Sequence, residues 1–296
     1  MKVVCLGSLN IDHVYQVDHF VAAGETSAAI EMQDYCGGKG LNQSVALSRA
    51  GCTVYHAGMV GPDGEALLNM LRENGVDTSL VRTVKAPTGH AMIQVDKKGQ
   101  NCILIYGGAN VLIDEPFIDE VYSHFQKGDI VLLQNEVSCL PYAIRRAHEL
   151  GLQIALNPSP MTGELLSCGE LNHVTWFILN EIEGRMISGG STGEEIIKGI
   201  REKYKNAAVM LTLGEDGCIY DDGTCFARRG IFPVTVVDTT AAGDTFTGYF
   251  LAGVCEGLPV PDILTLASKA SSMAVGAKGA AVSIPLRCEV EKALKG

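Results

Sequence analysis

The sequence predicts an α/β fold in which helices cover a largely parallel sheet and a smaller sheet stands beside it. Three observations lead there. Short apolar runs alternate with amphipathic, helix-period stretches along most of the chain. Two regions, residues 11–36 and 89–106, break that alternation with extended pieces and no helix. Glycine supplies 34 of 296 residues, about 11% against a usual value of roughly 7%, with no collagen-like period. Such a surplus, in a chain without repeats or Pro/Ser-rich linkers, signals tight turns and close backbone approaches.

The first buried strand reads as residues 3–7, where aliphatic and sulfur side chains run without interruption. Further strands read as 53–59, 130–134, 153–157, 175–179 and 208–212. Between and after them lie helical periods at 40–50, 64–74, 140–150, 181–188, 192–204, 245–256 and 262–277, with a terminal helix from Arg287. The two helix-free regions read as four strands of the smaller sheet. They lie at 13–17, 28–35 and a hairpin-like pair turning at Asp96-Lys97-Lys98-Gly99.

Charge and cysteine use exclude several functions. With 23 Lys+Arg against 34 Asp+Glu the net charge is −11, and basic residues cluster no further than pairs such as Lys97-Lys98 and Arg228-Arg229. Nucleic-acid backbones need clustered cations, so no such partner is expected, and an anionic ligand must be held locally. No apolar stretch reaches the length of about 18 residues that suggests a membrane span. The start, MKVVCLGSLNID, turns polar too early for a secretory segment. Ten scattered Cys without a C-x-x-C pair suit reduced thiols, and hence a cytoplasmic protein.

The strongest chemical signal is Asp238-Thr239-Thr240-Ala241-Ala242-Gly243-Asp244-Thr245-Phe246, between a strand-like run at 234–237 and an apolar helix. A helix starting there aims free N–H groups and the positive end of its dipole at one point. The small side chains of Ala241, Ala242 and Gly243 let an anion approach that backbone. Asp244, in the first turn, would be held ionised by the same dipole, as suits a base accepting an alcohol proton; a plain helix-terminal acid is the alternative.

The second signal is Cys36-Gly37-Gly38-Lys39-Gly40-Leu41-Asn42-Gln43-Ser44, a glycine turn into a helix with Lys39 and Asn42 on one face. It lacks the Walker A spacing, and no dinucleotide glycine fingerprint follows residues 3–7, which disfavours a dehydrogenase. Asn10 and Asp12 follow the first strand and Glu136 the strand at 130–134, at the sheet edge where such folds bind ligands. Asn180 and Glu183 are spaced either to cap a helix or to hold a hydrated magnesium ion or phosphates. Thr212-Leu213-Gly214-Glu215-Asp216-Gly217 ends a strand with two glycines, fit for a nucleotide edge or a plain hairpin.

Together these pieces resemble the ribokinase-like, phosphofructokinase-B-type carbohydrate kinase family over residues 7–285. Gly37-Gly38-Lys39-Gly40-Leu41-Asn42 and the nonapeptide at 238–246 carry the likeness. The resemblance implies one domain over residues 1–296, a three-layer α/β/α Rossmann-like sheet with a small β-sheet lid formed by 11–36 and 89–106. It implies an enzyme, transferring the γ-phosphate of ATP to a primary hydroxyl of a small sugar. Ribose is favoured by Lys39-Gly40 and Glu136; deoxyribose, a hexose such as fructose or a nucleoside are alternatives, as is a non-catalytic binding regulator on the same scaffold.

By the same resemblance Asp244 is the base, and the amides of 241–243 receive the transferred phosphate. Asn10, Asp12, Gly38, Lys39, Gly40, Leu41, Asn42 and Glu136 hold the sugar. Asn180, the stretch Thr212 to Gly217, Gly243 and Ser268 face ATP, while Glu183 with Asn180 organises Mg²⁺ indirectly. A monovalent cation, K⁺ by family habit, would sit at Asp238, Thr240, Ala274, Ala277, Gly279 and Ser283. The lid implies a homodimer. Tyr249 replaces a usual small residue, which implies an altered helix contact.

Overall fold

Val3–Leu6 (β1) carries four consecutive side chains of zero exposure, the pattern of a strand covered on both faces. It lies inside a nine-stranded sheet in the computed structural model, which describes residues 1–296. The other strands in chain order are Asn10–Gln16 (β2), Glu31–Gly37 (β3), Val54–Val60 (β4), Asp77–Thr83 (β5), Gly89–Val95 (β6), Asn101–Tyr106 (β7), Ile130–Gln134 (β8), Gln153–Asn157 (β9), Trp176–Asn180 (β10), Ala208–Thr212 (β11), Cys218–Asp221 (β12) and Phe226–Arg229 (β13). The helices are Lys39–Arg49 (α1), Glu65–Glu73 (α2), Glu115–Tyr122 (α3), Leu140–Glu149 (α4), Gly163–Leu166 (α5), Glu181–Ser188 (α6), Gly193–Lys203 (α7), Ala242–Glu256 (α8), Val260–Val275 (α9) and Arg287–Lys295 (α10).

The large sheet runs β13-β12-β11-β10-β9-β8-β1-β4-β5, parallel except where β12 and β13 turn back at one edge. Alternate residues of β1 divide between two cores. Val3 and Cys5 pack with α1, α2, α8 and α9, whereas Val4 and Leu6 pack with α3, α4, α6 and α7. Each core holds 36 buried residues, so the sheet is covered about equally on both sides, giving three layers. No helix is long and apolar enough to cross a membrane.

β1 pairs in parallel with β4 on one side and β8 on the other. The chain therefore winds outward first one way and then the other, and the carboxyl ends of β1 and β8 mark the switch point, where open α/β sheets bind ligands. Residues of both interrupting regions form a separate four-stranded sheet, β3-β2-β6-β7. Its root lies at the same place, with Asn10 opposite both Gly37 and Gly89. The outer strand β7 is exposed along its whole length.

Several expectations are corrected. The run 234–237 is not a strand: it lies in an exposed loop, with Val236 64% and Val237 56% exposed, because β13 already closes that edge of the sheet. The helix expected at 245–256 begins three residues earlier, at Ala242, and that expected at 262–277 begins at Val260, after Pro259. Five elements were not anticipated, α5, β12 and β13 among them, together with β5 and α3. β5 is a mostly exposed edge strand with little apolar sequence, whereas α3 did carry a start signal: the Asp114 carboxylate accepts from the Phe117 N–H, with a proline in the first turn.

Candidate active site

The site is assembled by a close approach of backbone to backbone. Gly38, at the head of α1, has φ +96°, a conformation that glycine adopts without strain. A Cβ on Gly40 would stand 2.5 Å from the Ser8 nitrogen and 2.7 Å from the Gly7 Cα. Only without side chains can α1 start against the turn that follows β1. Across that contact, the Ser8 hydroxyl donates to the Glu136 carboxylate, and the Lys39 backbone N–H donates to the same oxygen at 3.2 Å. Gly40 is thus a packing residue, and Leu41 turns wholly into the core, so neither presents a side chain to the pocket.

Asn10 is buried and its oxygen accepts from Asn110 Nδ2 at 2.8 Å. Asn110, which sequence reasoning missed, also clasps the Leu9 backbone in both directions. Its only sequence signal is the Gly107-Gly108 pair before it. Asp12 sits beside Glu136, and burial, with that second negative charge, pushes its carboxyl up to about 7. Burial likewise raises Glu136, against donation from Ser8 and the charge of Lys39. For Lys39, burial opposes the ammonium charge, but Asp244, Glu136 and Glu183 outweigh it and raise its pKa.

Asp244, third residue of α8 and nearly fully buried, meets α1 directly. Its Oδ2 accepts from Asn42 Nδ2 at 3.0 Å and its Oδ1 from Gln43 Nε2 at 2.8 Å. Burial raises its pKa, against the charge of Lys39 and donation from Gln43 and Asn42. The net direction is the reverse of the dipole-based expectation, because desolvation of the carboxylate is the larger effect.

No side chain caps α8, which leaves its first amides to point outward. One of the three small-residue amides is occupied, since Ala242 N–H donates to the Thr239 carbonyl. At Gly243 a Cβ would meet no protein atom within 4 Å, because the space before it is cavity. Gly243 and Thr212 border two cavities at once. A polar one of about 200 Å³ holds Lys39, Asn180, Glu183 and Asp244. A more apolar one of about 720 Å³ holds Gly214, Glu215, Asp216, Gly217 and Ser268, with Val234 and Val236 from the exposed loop. Leu213 faces neither of these two cavities and is buried in the core.

Asn180 and Glu183 form a reciprocal capping box on α6, each side chain accepting the other's backbone N–H at 3.0 Å. Both also border the polar cavity, so capping and ligand contact coexist there. No group of three or more His, Cys, Asp or Glu side chains is arranged to bind a metal ion directly. The loop residues of the expected monovalent site come partly together. Asp238 accepts from Thr240 N–H at 2.9 Å and from Gly279 N–H at 3.0 Å, tying the two loops. Burial pushes Asp238 up, yet these bonds and Lys278 hold it below the ordinary range. Ala277 N–H takes the Ala274 carbonyl and Ser283 the Ala280 carbonyl. Tyr249, buried in α8, donates its hydroxyl to the Pro285 carbonyl at 2.8 Å.

The chain matches the pfkB family carbohydrate kinase profile over residues 1–287. It is 34% identical over 294 residues to a ribokinase of Haemophilus influenzae, covering 96% of this chain and 95% of that one. A Bacillus subtilis ribokinase is 33% identical, covering 99% and 100%. An Arabidopsis thaliana ribokinase, solved in complex with ribose and ATP, superposes with TM-score 0.87 at 31% identity, over 100% of this chain and 99% of that one. Matched from residue 1 to 287 and a third identical to relatives over nearly their full length, the chain belongs to the pfkB family of carbohydrate kinases.

Proposed function

We propose that the chain is an ATP-dependent sugar kinase that transfers the γ-phosphate to the primary hydroxyl of D-ribose, giving ribose 5-phosphate and ADP. The observation that carries this reading is the position of Asp244. It is a buried carboxylate whose neighbours on one side are Lys39 and Asn42, and on the other Gly243, which borders both cavities. Sugar hydroxyls have partners in Asn10, Asp12, Lys39, Asn42 and Glu136, while the backbone of Gly38 lets the ligand lie close. The Asn42 Oδ1 is buried without a partner, an acceptor suited to a hydroxyl donor. ATP would lie along the larger cavity, its base near Ser268 and the stretch Gly214 to Gly217, and its phosphates toward Asn180 and the head of α8.

The chemistry follows from these placements. Asp244 takes the proton of the hydroxyl as that oxygen attacks the γ-phosphorus and ADP departs. Its raised pKa makes it a better proton acceptor than an ordinary carboxylate. Charge developing on the phosphoryl oxygens faces the free amides of Ala241 and Gly243, and Lys39 from the sugar side. Glu183 and Asn180, one carboxylate and one amide at the cavity wall, fit a Mg²⁺ held largely through water and phosphate, which would neutralise charge on the nucleotide. A K⁺ near Asp238, Thr240, Ala274, Ala277, Gly279 and Ser283 would stiffen the two loops that Asp238 already joins.

The single domain carries the four-stranded sheet as a lid that excludes water and limits wasteful ATP hydrolysis. Its exposed edge strand, with Ile103, Leu104, Ile105 and Tyr106 each over half exposed, supports a homodimer formed through the lid. Ten free cysteines support a reducing, cytoplasmic setting.

The test is an ADP-release assay with ATP, Mg²⁺ and a panel of ribose, deoxyribose, hexoses and nucleosides. Ribose should give the highest kcat/KM, and Asp244→Asn should lower kcat at least about 10²-fold with the fold retained, as expected for loss of a general base. Preference for another acceptor would replace the substrate, and near wild-type turnover of the variant would remove the base.

A further inference from the structure

Gln43 lies one residue beyond the sugar-facing Asn42 and is wholly buried, so it has no route to substrate. Its amide is nonetheless fully used. One N–H goes to Asp244 Oδ1 at 2.8 Å and the other to Asn157 Oδ1 at 2.9 Å, while its oxygen accepts from Gln134 Nε2 at 2.6 Å. Asn157 in turn donates to the Ile178 carbonyl at 2.8 Å. The amide is thereby tied to the carboxyl ends of β8 and β9 and, through Asn157, to β10.

Rotating the amide by half a turn would set its oxygen against the Asp244 carboxylate and the Asn157 oxygen, and its NH₂ against the Gln134 NH₂. All three contacts would reverse from attractive to repulsive, so a single orientation survives. Asn42 holds the other carboxylate oxygen at 3.0 Å. Asp244 is thus gripped at both oxygens by amides, and only one of those amides faces the sugar pocket.

We propose that Gln43 is a positioning residue for phosphoryl transfer, fixing the plane of the Asp244 carboxylate by bracing it against the ends of the central strands. The proposal rests on the reading of Asp244 as the base. It also implies an electrostatic role, because an amide N–H donated to a carboxylate favours the ionised form. The other groups acting on Asp244 are Lys39 from α1, Glu183 from α6, Glu136 after β8 and the Cys5 thiol from β1. Only Lys39 is cationic, so the amides have no substitute on the other faces.

The experiment is the kcat–pH profile, with ribose and Mg·ATP saturating, of Gln43→Leu and the near-isosteric Gln43→Glu, with Asp244→Asn as reference. Gln43→Leu should lower kcat at least about tenfold, with KM for ATP little changed, and move the acidic limb to higher pH. Gln43→Glu sets a like charge at hydrogen-bond distance and should move that limb further, by at least about one unit. Should the leucine variant fail to fold, the glutamate variant alone decides. A kcat loss with an unmoved limb, or an unchanged kcat, in a folded variant overturns the proposal. An active Asp244→Asn would instead overturn the base on which it rests, whatever Gln43 does.

Discussion

Asp12 shows how one residue ties the pocket to the stability of the chain. Its carboxyl rises from an ordinary 3.8 to about 7 because folding takes it out of water beside Glu136. Between those two values the unfolded chain releases the proton and the folded one keeps it. Stability is therefore lost as pH rises through that window, and the loss stays constant above about 7. Asp12→Asn, which cannot ionise, should raise Tm by at least about 2 °C relative to wild type at pH 8, with the difference closing toward pH 4 and KM for the sugar increased. Melting curves at pH 4.5, 6 and 8 check this, and a pH-independent difference would contradict it. Lys39, Asn42 and Asp244 stood out in the sequence because short motifs hold them, and Asp12 because it follows the first strand. The sequence was silent on Asn110 and on the part of Gln43, whose partners lie 100 or more residues away in several of their contacts.

Among elements, the pairing of α1 with α8 decides the geometry of the site. The two helices meet at Gly248, where a Cβ would come within 2.4 Å of the Ala46 Cβ and 2.7 Å of the Leu47 nitrogen. One turn earlier on each helix stand Asn42 and Asp244, so the pair runs in parallel with both amino ends at the pocket. Gly248→Val must separate the helices, at a cost of about 2–3 kcal/mol and roughly 5–10 °C in Tm. Because the Asn42 and Gln43 bonds to Asp244 lengthen with that separation, kcat should fall along with Tm. Calorimetry and turnover on the same preparation test it; a normal kcat with a lowered Tm would disconnect the contact from the site. Helices of this kind were legible from apolar period and start signals, whereas β5 had too little apolar sequence and the loop at 234–237 too much. In that loop Val234 and Val236 are exposed and border the larger cavity instead of entering the sheet.

For the whole molecule, the order of apolar runs and helices forecast an α/β fold, since each buried strand announces itself by its sequence, while the three layers came from the family resemblance. Assembly is less legible, because exposed apolar residues of β7 mean little until the strand is seen to be an outer one. If the lids pair, Ile103→Lys with Leu104→Lys should halve the mass measured by light scattering, while the circular dichroism of the large sheet persists. A wild-type chain that scatters as a monomer at micromolar concentration would end that reading. The bond between Asn42 and Asp244 spans 202 residues. A chain emerging from the ribosome thus completes β1, α1 and most sugar-facing groups long before it possesses a base. Catalytic competence therefore waits on α8, and a chain halted before that helix lacks both the base and the partner against which Asn42 and Gln43 are set.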